Sequence, residues 1–190
     1  MSDFYITDNE KIILLQTART AINSKLYNID ADYKTGTGTL LQSCGAFVTL
    51  HIGNKLRGCI GYMTGIKPII EAVKELAVSS AFNDRRFPPL EKGEFEKIDI
   101  EISVLSPLKP VNSINEIEIG KHGIYLRKGF NTGVLLPQVA VEQNWDLNTF
   151  LTHTCYKAGL PGDAWQDGNA DISIFSSVIF SEKEMKLGKN

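Results

Sequence analysis

Apolar positions recur along this chain with two periods, and the switches between them mark its elements. Ile12, Leu15, Ala18, Arg19 and Ile22 fall at helical spacing. They follow Thr7-Asp8-Asn9-Glu10, the arrangement of a capping box, so a helix is predicted over 8–25, covering one face of a sheet. Residues 28–44 are polar and rich in Gly and Thr. Gly36-Thr37-Gly38 lacks the rest of a phosphate-binding motif and reads as surface loop. Phe47, Val48, Leu50 and Ile52 make a strand over 45–52, Gly53-Asn54 a two-residue turn, and 55–62 the return strand. Pro68 suits the first turn of a helix over 66–81, whose stripe is Ile66, Ile69, Ile70, Val73, Leu76 and Ala77. A loop over 82–90 is stiffened by Pro88 and Pro89. Ile98, Ile100, Ile102 and Val104 then alternate with Asp99, Glu101 and Ser103, the cleanest period-two strand in the chain.

After a spacer at 111–120 the order repeats. Gly123–Lys128 is a strand, Phe130-Asn131-Thr132 a turn and Gly133–Leu136 a return strand. Asp146 caps a helix with Leu147, Phe150, Leu151 and Cys155 on its apolar face and Gly159 as its stop, and Ile172, Ile174, Val178 and Ile179 close the pattern as a strand. A shift of 78 residues sets Gly45 on Gly123, and Gly58-Cys59-Ile60 on Leu136-Pro137-Gln138. The expected fold is α+β: two similar subdomains, each a β-hairpin, a helical segment and a strand, with an extra N-terminal helix. One domain over 8–182 would hold both halves, about 40–110 and 120–182.

Composition narrows the function classes. With 43% hydrophobic and 22% charged residues and a net charge of -2, the chain reads as an ordinary globular protein without a basic footprint for nucleic acid or anionic membrane. No apolar run approaches the roughly 18 residues of a membrane span. The start, Met1–Asp8, reads as carrying no secretory signal. Cys44, Cys59 and Cys155 are odd in number and without CxxC spacing, which points to free thiols in a reducing compartment and hence to the cytoplasm.

Candidate chemistry gathers at Leu56-Arg57-Gly58-Cys59-Ile60-Gly61. A thiolate is favoured by nearby positive charge and backbone N–H groups. Gly58 and Gly61 let the backbone approach a ligand, and Arg57 shares a face with Cys59 on a regular strand, an alignment that a bulge would break. The alternative is a small packed cysteine among glycines needed for close contact. A nucleophilic cysteine needs a base, and among His51, His122 and His153 the best placed is His122, at the start of the second hairpin. Asp84 and Arg86 form a second cluster: an arginine fork binds anions, or the loop is pinned by its own ion pair. Glu101, if buried, needs a cation, with Arg57 or Arg86 the natural partners. Trp145 and Trp165 read as core anchors sooner than stacking platforms. No HxxxH or HExxH spacing marks a metal site, and no cofactor motif is complete.

These stretches resemble the AMMECR domain family. The residues that carry the resemblance are Gly45–Leu50, Leu56–Gly61, Asp84–Pro88, Glu101–Leu105, His122-Gly123, Leu135–Gln138 and Lys157-Ala158-Gly159, across about 8–180. One departure is Arg85, where the family pattern more often has proline; Asp84 and Arg86 are left as the better functional pair. The resemblance implies an α+β architecture with two related subdomains. It also implies a place beside a Memo-like protein and a radical SAM protein in a three-part prokaryotic system, without implying a reaction. Two functions are expected. The favoured one is an enzyme or enzyme component with Cys59 and His122 as catalytic residues and Arg57, Gly58, Gly61, Asp84, Arg86 and Glu101 binding a ligand. The alternative is a non-catalytic adaptor that recognises a small anion or a protein partner.

Overall fold

The computed structural model describes residues 4–188, so Met1–Asp3 of the stretch read for a leader, with Lys189 and Asn190, lie outside it. The chain forms an α+β fold of two compact units. One runs to Leu105 and resumes at Val178; the other spans Ser106–Ser177.

The first unit opens with α1, Asp8–Tyr27, and its predicted capping box is present: Thr7 Oγ1 accepts from the Glu10 N–H at 3.2 Å, and Glu10 accepts from the Thr7 N–H at 2.9 Å. Glu10 also accepts from the Thr39 N–H at 3.0 Å, so the glycine-rich loop spends that amide on the protein itself. The hairpin β1, Gly45–Ile52, and β2, Lys55–Tyr62, turns on Gly53 at φ +60° as expected. Helix α2, Ile69–Phe82, begins three residues later than the apolar stripe suggests, because Pro68 holds extended backbone at its N-cap. A short helix that periodicity does not reveal, α3, Lys92–Phe95, precedes β3, Ile98–Leu105. The closing segment is two strands. The second, β8, Ser177–Ser181, completes a sheet in the order β2-β1-β3-β8.

Alternation decides which sheet face is buried. Ala46, Val48, Leu50, Ile98, Ile100 and Ile102 join Leu15, Ile22, Val73 and Leu76 of the helices in one core. Arg19 interrupts the α1 stripe for a reason. Its guanidinium donates to the carbonyls of Phe95 (2.9 Å) and Ile98 (3.0 Å) and pairs with Glu182, whose carboxylate accepts the Ile100 N–H at 3.0 Å. A buried ion pair survives when its remaining donors and acceptors are met, as here.

The second unit repeats this organisation in shorter form. Strand β4, Lys109–Pro110, β5, Gly123–Lys128, β6, Asn131–Leu135, and β7, Asp171–Phe175, make a sheet in the order β4-β7-β5-β6. The β5–β6 turn is Gly129-Phe130, one residue earlier than predicted, since Lys128 pairs with Asn131. The return strand stops at Leu135: Leu136 is the N-cap and Pro137 the first residue of α4, Pro137–Glu142, where its fixed φ fits a helix start. Asp146 caps α5, Leu147–Lys157, as predicted, accepting the Thr149 N–H at 2.8 Å. Phe150, Leu151 and Cys155 of α5 pack with Ile124, Leu126 and Ile174.

Candidate functional site

Strand β2 is an edge, and its sequence bends it. Leu50 pairs with Gly58 and His51 with Leu56, so Arg57 is the extra residue of a bulge. The bulge removes Arg57 from the row that a regular strand would share with Cys59. Its buried guanidinium is instead committed to α3: Nε and Nη2 donate to the two carboxylate oxygens of Glu94, each at 2.8 Å, and Nη2 reaches the Pro89 carbonyl at 3.3 Å. Glu94 thereby sits below the ordinary range of a glutamate, held there chiefly by its hydrogen bonds from Arg57. The third guanidinium nitrogen, Nη1, is buried without a hydrogen-bond partner among the described residues.

Cys59 is gripped through its main chain. As part of an edge strand its N–H and C=O need partners from outside the sheet. Asp84, directly beyond the end of α2, accepts the Cys59 N–H on Oδ2 at 2.9 Å. Arg86 donates to the Cys59 carbonyl at 3.0 Å, and its fork also closes on both oxygens of Asp84, at 2.7 and 2.9 Å. The Arg86 N–H adds a bond to Asp84 Oδ1 at 3.1 Å. Asp84 is buried, and these donors, Arg86 first, hold its carboxyl well below the usual carboxylate range despite burial. The Arg86 side chain itself is 57% exposed. The sulfur of Cys59, half-buried, accepts a hydrogen bond from the Thr49 hydroxyl at 3.2 Å.

The motif glycines are explained by packing. A Cβ on Gly58 would stand 2.1 Å from the Ser80 carbonyl oxygen of α2, and one on Gly61 would stand 2.1 Å from the Phe47 ring. Ser80 does more than press on Gly58. Its hydroxyl donates to the Val48 carbonyl at 2.7 Å and accepts the Ile60 N–H at 2.9 Å, bridging β1 and β2 at their Val48–Ile60 pair. Helix α2 is thus stitched into the strand pair one residue on either side of Cys59.

Arg57, Gly58, Cys59, Gly61, Asp84 and Arg86 therefore lie around one strand edge, although Arg57 and the Asp84–Arg86 clasp form separate ion pairs. Glu101 is half-buried on β3, opposite Thr49, which is in turn opposite Cys59; the three share one row across the sheet. Both arginines expected for Glu101 are taken, by Glu94 and Asp84. His122 belongs to the second unit, where its Nδ1 accepts the Glu118 N–H at 3.0 Å in a local turn. Trp145 stacks on His153 with ring centroids 4.0 Å apart, and both tryptophans pack against the second core. All three cysteines are free, and burial pushes the thiols of Cys44 and Cys155 up.

Three contributors escape a reading of the sequence. Ser80 looks like a small polar residue on a helix, Glu94 lies in a helix of four residues, and Thr49 is an ordinary strand position. Only the glycine at 58 hints at a close approach from outside the strand. A cavity of about 560 Å³ opens on this unit beside α1 and α2, against Ser24, Lys25, Tyr33 and Lys74, and no predicted site residue lines it. Among the described residues no group of three or more His, Cys, Asp or Glu side chains converges as a metal site, and no helix is long and apolar enough to cross a membrane.

Comparison with known proteins places the whole arrangement in a family. The model of a family described as AMMECR1 matches residues 15–180. The protein MK0488 of Methanopyrus kandleri is 43% identical over 94% of this chain and 91% of its own length. NEQ441 of Nanoarchaeum equitans is 40% identical, over 85% of this chain and 92% of its own. The crystal structure of an uncharacterised protein, PH0010 from Pyrococcus horikoshii, superposes with a TM-score of 0.82 at 37% identity, covering 96% of each chain.

Proposed function

We propose a function for the chain from one premise: it belongs to the AMMECR1 family. The chain acts as a non-catalytic recognition module, an adaptor in the cytoplasm that works beside a Memo-like protein and a radical SAM protein, the partners that the family resemblance implies. One observation carries this choice over an enzyme. The ionisable side chains nearest Cys59 in the hydrogen-bond network are spent on each other and on main chain: Asp84 on the Cys59 N–H and Arg86, Arg86 on the Cys59 carbonyl, Arg57 on Glu94. The polar groups beside the Cys59 sulfur are the Thr49 hydroxyl and the Arg86 guanidinium, and neither is a base that could take the thiol proton. Such a network makes a rigid edge. It suits recognition, where a preorganised surface lowers the entropic cost of binding.

A second reading has its own observation. The Thr49 hydroxyl donates to the Cys59 sulfur, and the sulfur is only half-buried, so the thiol has a polar partner and is open to a ligand. In that reading Cys59 is the nucleophile of an enzyme component, with Arg57, Gly58, Gly61, Asp84, Arg86 and Glu101 shaping the ligand site.

Calorimetric titration of the purified chain against the Memo-like protein and against the radical SAM protein separates the two. An adaptor binds at least one of them, and Cys59→Ala binds it equally well. The adaptor assignment fails if neither binds. If binding persists but Cys59→Ala abolishes a turnover that the assembled proteins support, the enzyme-component reading takes its place.

A further inference from the structure

The polar stretch that follows α1 is tied back onto the helices, and the ties leave a cavity beside them. At its start the Ile29 N–H donates to the Ser24 carbonyl at 3.1 Å and the Ser24 hydroxyl donates to the Ile29 carbonyl at 2.6 Å, so the chain turns at Asn28, in left-handed backbone. Further on, Lys34 reaches Gln16 of α1 at 2.7 Å, and Gly36 lies so near α2 that a Cβ there would stand 3.1 Å from Ile70. Between these ties Tyr33 faces α2, where Lys74 Nζ stands 3.7 Å from its ring centroid. The cavity of about 560 Å³ lies between this stretch and the two helices. Its volume falls in the range of sites for small molecules.

The lining selects the class of ligand. Two ammonium groups, of Lys25 and Lys74, belong to it, and neither is in an ion pair among the described residues. Lysines elsewhere on the surface, such as Lys67, Lys109 and Lys128, do reach carboxylates. Lys74 has Glu71 three residues back on α2, at the spacing of a helical ion pair, yet its ammonium rests on the Tyr33 ring instead. A ring face holds a cation in place without cancelling its charge, so the ammonium stays available to an anion. The end of α1 would repel an anion through its free carbonyls. Here the Ser24 carbonyl is covered by the N–H groups of Asn28 and Ile29. Asp30 is the one carboxylate of the lining, and it is exposed and pairs with neither lysine. Ala21 is buried and Val78 half-buried, and with Ile29 they give the cavity an apolar side.

We propose that this cavity is a binding site for a small organic anion, a carboxylate, sulfonate or phosphate whose charge is held by Lys74 and Lys25 and whose apolar body lies against Val78 and Ile29. The site shares no residue with the Cys59 clasp and does not depend on the adaptor reading.

The test follows amide chemical shifts of the full, nitrogen-15-labelled chain as three probes are added in turn: naphthalene-1-sulfonate, the neutral 1-naphthalenemethanol, and inorganic sulfate. Naphthalene-1-sulfonate should shift the amides of the lining, among them Ser24, Lys25, Ile29 and Lys74, and saturate with one Kd below about 1 mM. The alcohol lacks the charge and sulfate lacks the apolar body, and each should bind at least about tenfold more weakly. Lys74→Met should cost about tenfold in affinity for naphthalene-1-sulfonate and Lys25→Met somewhat less, whereas Asp30→Asn should tighten binding. All three side chains are exposed, so the variants should keep the spectrum of the natural fold away from the cavity. Shifts that scatter over the surface, centre elsewhere or fail to saturate overturn the proposal. So does an alcohol that binds as well as the sulfonate, which would make the cavity an apolar patch, or sulfate that does, which would leave only a loose pair of surface charges. A Lys74→Met chain that folds and binds the sulfonate undiminished overturns it as well. The calorimetric titrations against the protein partners report on the adaptor reading independently of every one of these outcomes.

Discussion

The two units use one device to dock a helix on a hairpin and put it to different ends. In the first unit Gly58 of β2 admits the Ser80 carbonyl of α2; in the second, Gly133 of β6 admits the Thr154 carbonyl of α5, where a Cβ would come within 2.2 Å. The registers match as well. Leu50 pairs with Gly58, and Leu126 with Gly133. One residue beyond the glycine, Cys59 occupies the place of Val134. Four residues beyond the helix carbonyl, Asp84 occupies the place of Ala158. The glycine and its helix contact therefore belong to the shared architecture. The thiol, the buried carboxylate and the arginine that closes on it belong to one unit only. What is special at the LRGCIG motif is the clasp on Cys59, and the glycines that first draw the eye are explained by the fold.

The largest expected effect strikes the shared device. Gly58→Ala and Gly133→Ala each force a methyl against a helix carbonyl, and backbone cannot step aside as a flexible side chain can. Overpacking of this kind costs about 3 kcal/mol. Both variants should melt well below the natural chain, by similar amounts, in calorimetry or urea titration. A Gly58→Ala chain that folds with undiminished stability would mean that Gly58 serves a ligand and the likeness of the two contacts is incidental.

Asp84→Asn tests what is particular to the first unit. An amide that presents its NH2 toward Cys59 strands the main-chain N–H of an edge strand, and an unmet buried donor costs about 2 kcal/mol. Ala158→Asn at the corresponding place of the second unit has no such bond to lose, so the difference between the two variants isolates the clasp. Hydrogen exchange at the Cys59 amide reads the same bond directly and should quicken in Asp84→Asn alone.

Acid should dissolve the same difference. The Asp84 carboxyl titrates in the folded protein well below its unfolded value because Arg86 and two main-chain N–H groups favour the carboxylate. A depressed value stabilises the fold above the unfolded pKa, near 4 for aspartate, and that stabilisation is lost as pH falls through the folded value. The stability gap between the natural chain and Asp84→Asn should stay level from neutrality down to about pH 4.5 and narrow below it. A gap that narrows above pH 6 would assign the effect to another group.

Most of the architecture was legible from periodicity because strands and amphipathic helices write their burial into alternate or helical positions. The capping box at Thr7, the cap at Asp146 and the hairpin at Gly53 needed nothing distant. The register between the halves was harder. A shift of 78 aligns strand starts, Gly45 with Gly123, whereas a hairpin takes its register from its turn, and Gly53 matches Gly129 at 76. Beyond the bulge at Arg57 the offset falls to 75, which sets Gly58 on Gly133 and leaves Leu136-Pro137 to begin a helix. The candidate site was legible only as residue types. That Asp84 and Arg86 would close on the main chain of Cys59, and that Glu94 would claim Arg57, depends on contacts 25 to 37 residues apart in sequence. No local pattern encodes them.

Arg86→Gln should have the smallest effect and is the sharpest probe of how the clasp works. Seen as an ion pair, Asp84 and Arg86 ought to be equally costly to remove. Their surroundings are unequal, however. The Asp84 side chain is 4% exposed and the Arg86 side chain 57%. Without the guanidinium, Asp84 keeps the N–H groups of Cys59 and of residue 86, one on each oxygen, so the carboxylate stays satisfied. The Cys59 carbonyl loses a donor at a position that water reaches once the exposed side chain is shortened. Solvent screens a pair with one partner this exposed, so the attraction between the two charges adds little to stability. Arg86→Gln should accordingly cost less than half of what Asp84→Asn costs in the same urea titration, and leave the Cys59 amide protected from exchange. Equal costs would make the clasp an ion pair that happens to touch the strand; unequal costs make it a main-chain anchor in which arginine is the removable half.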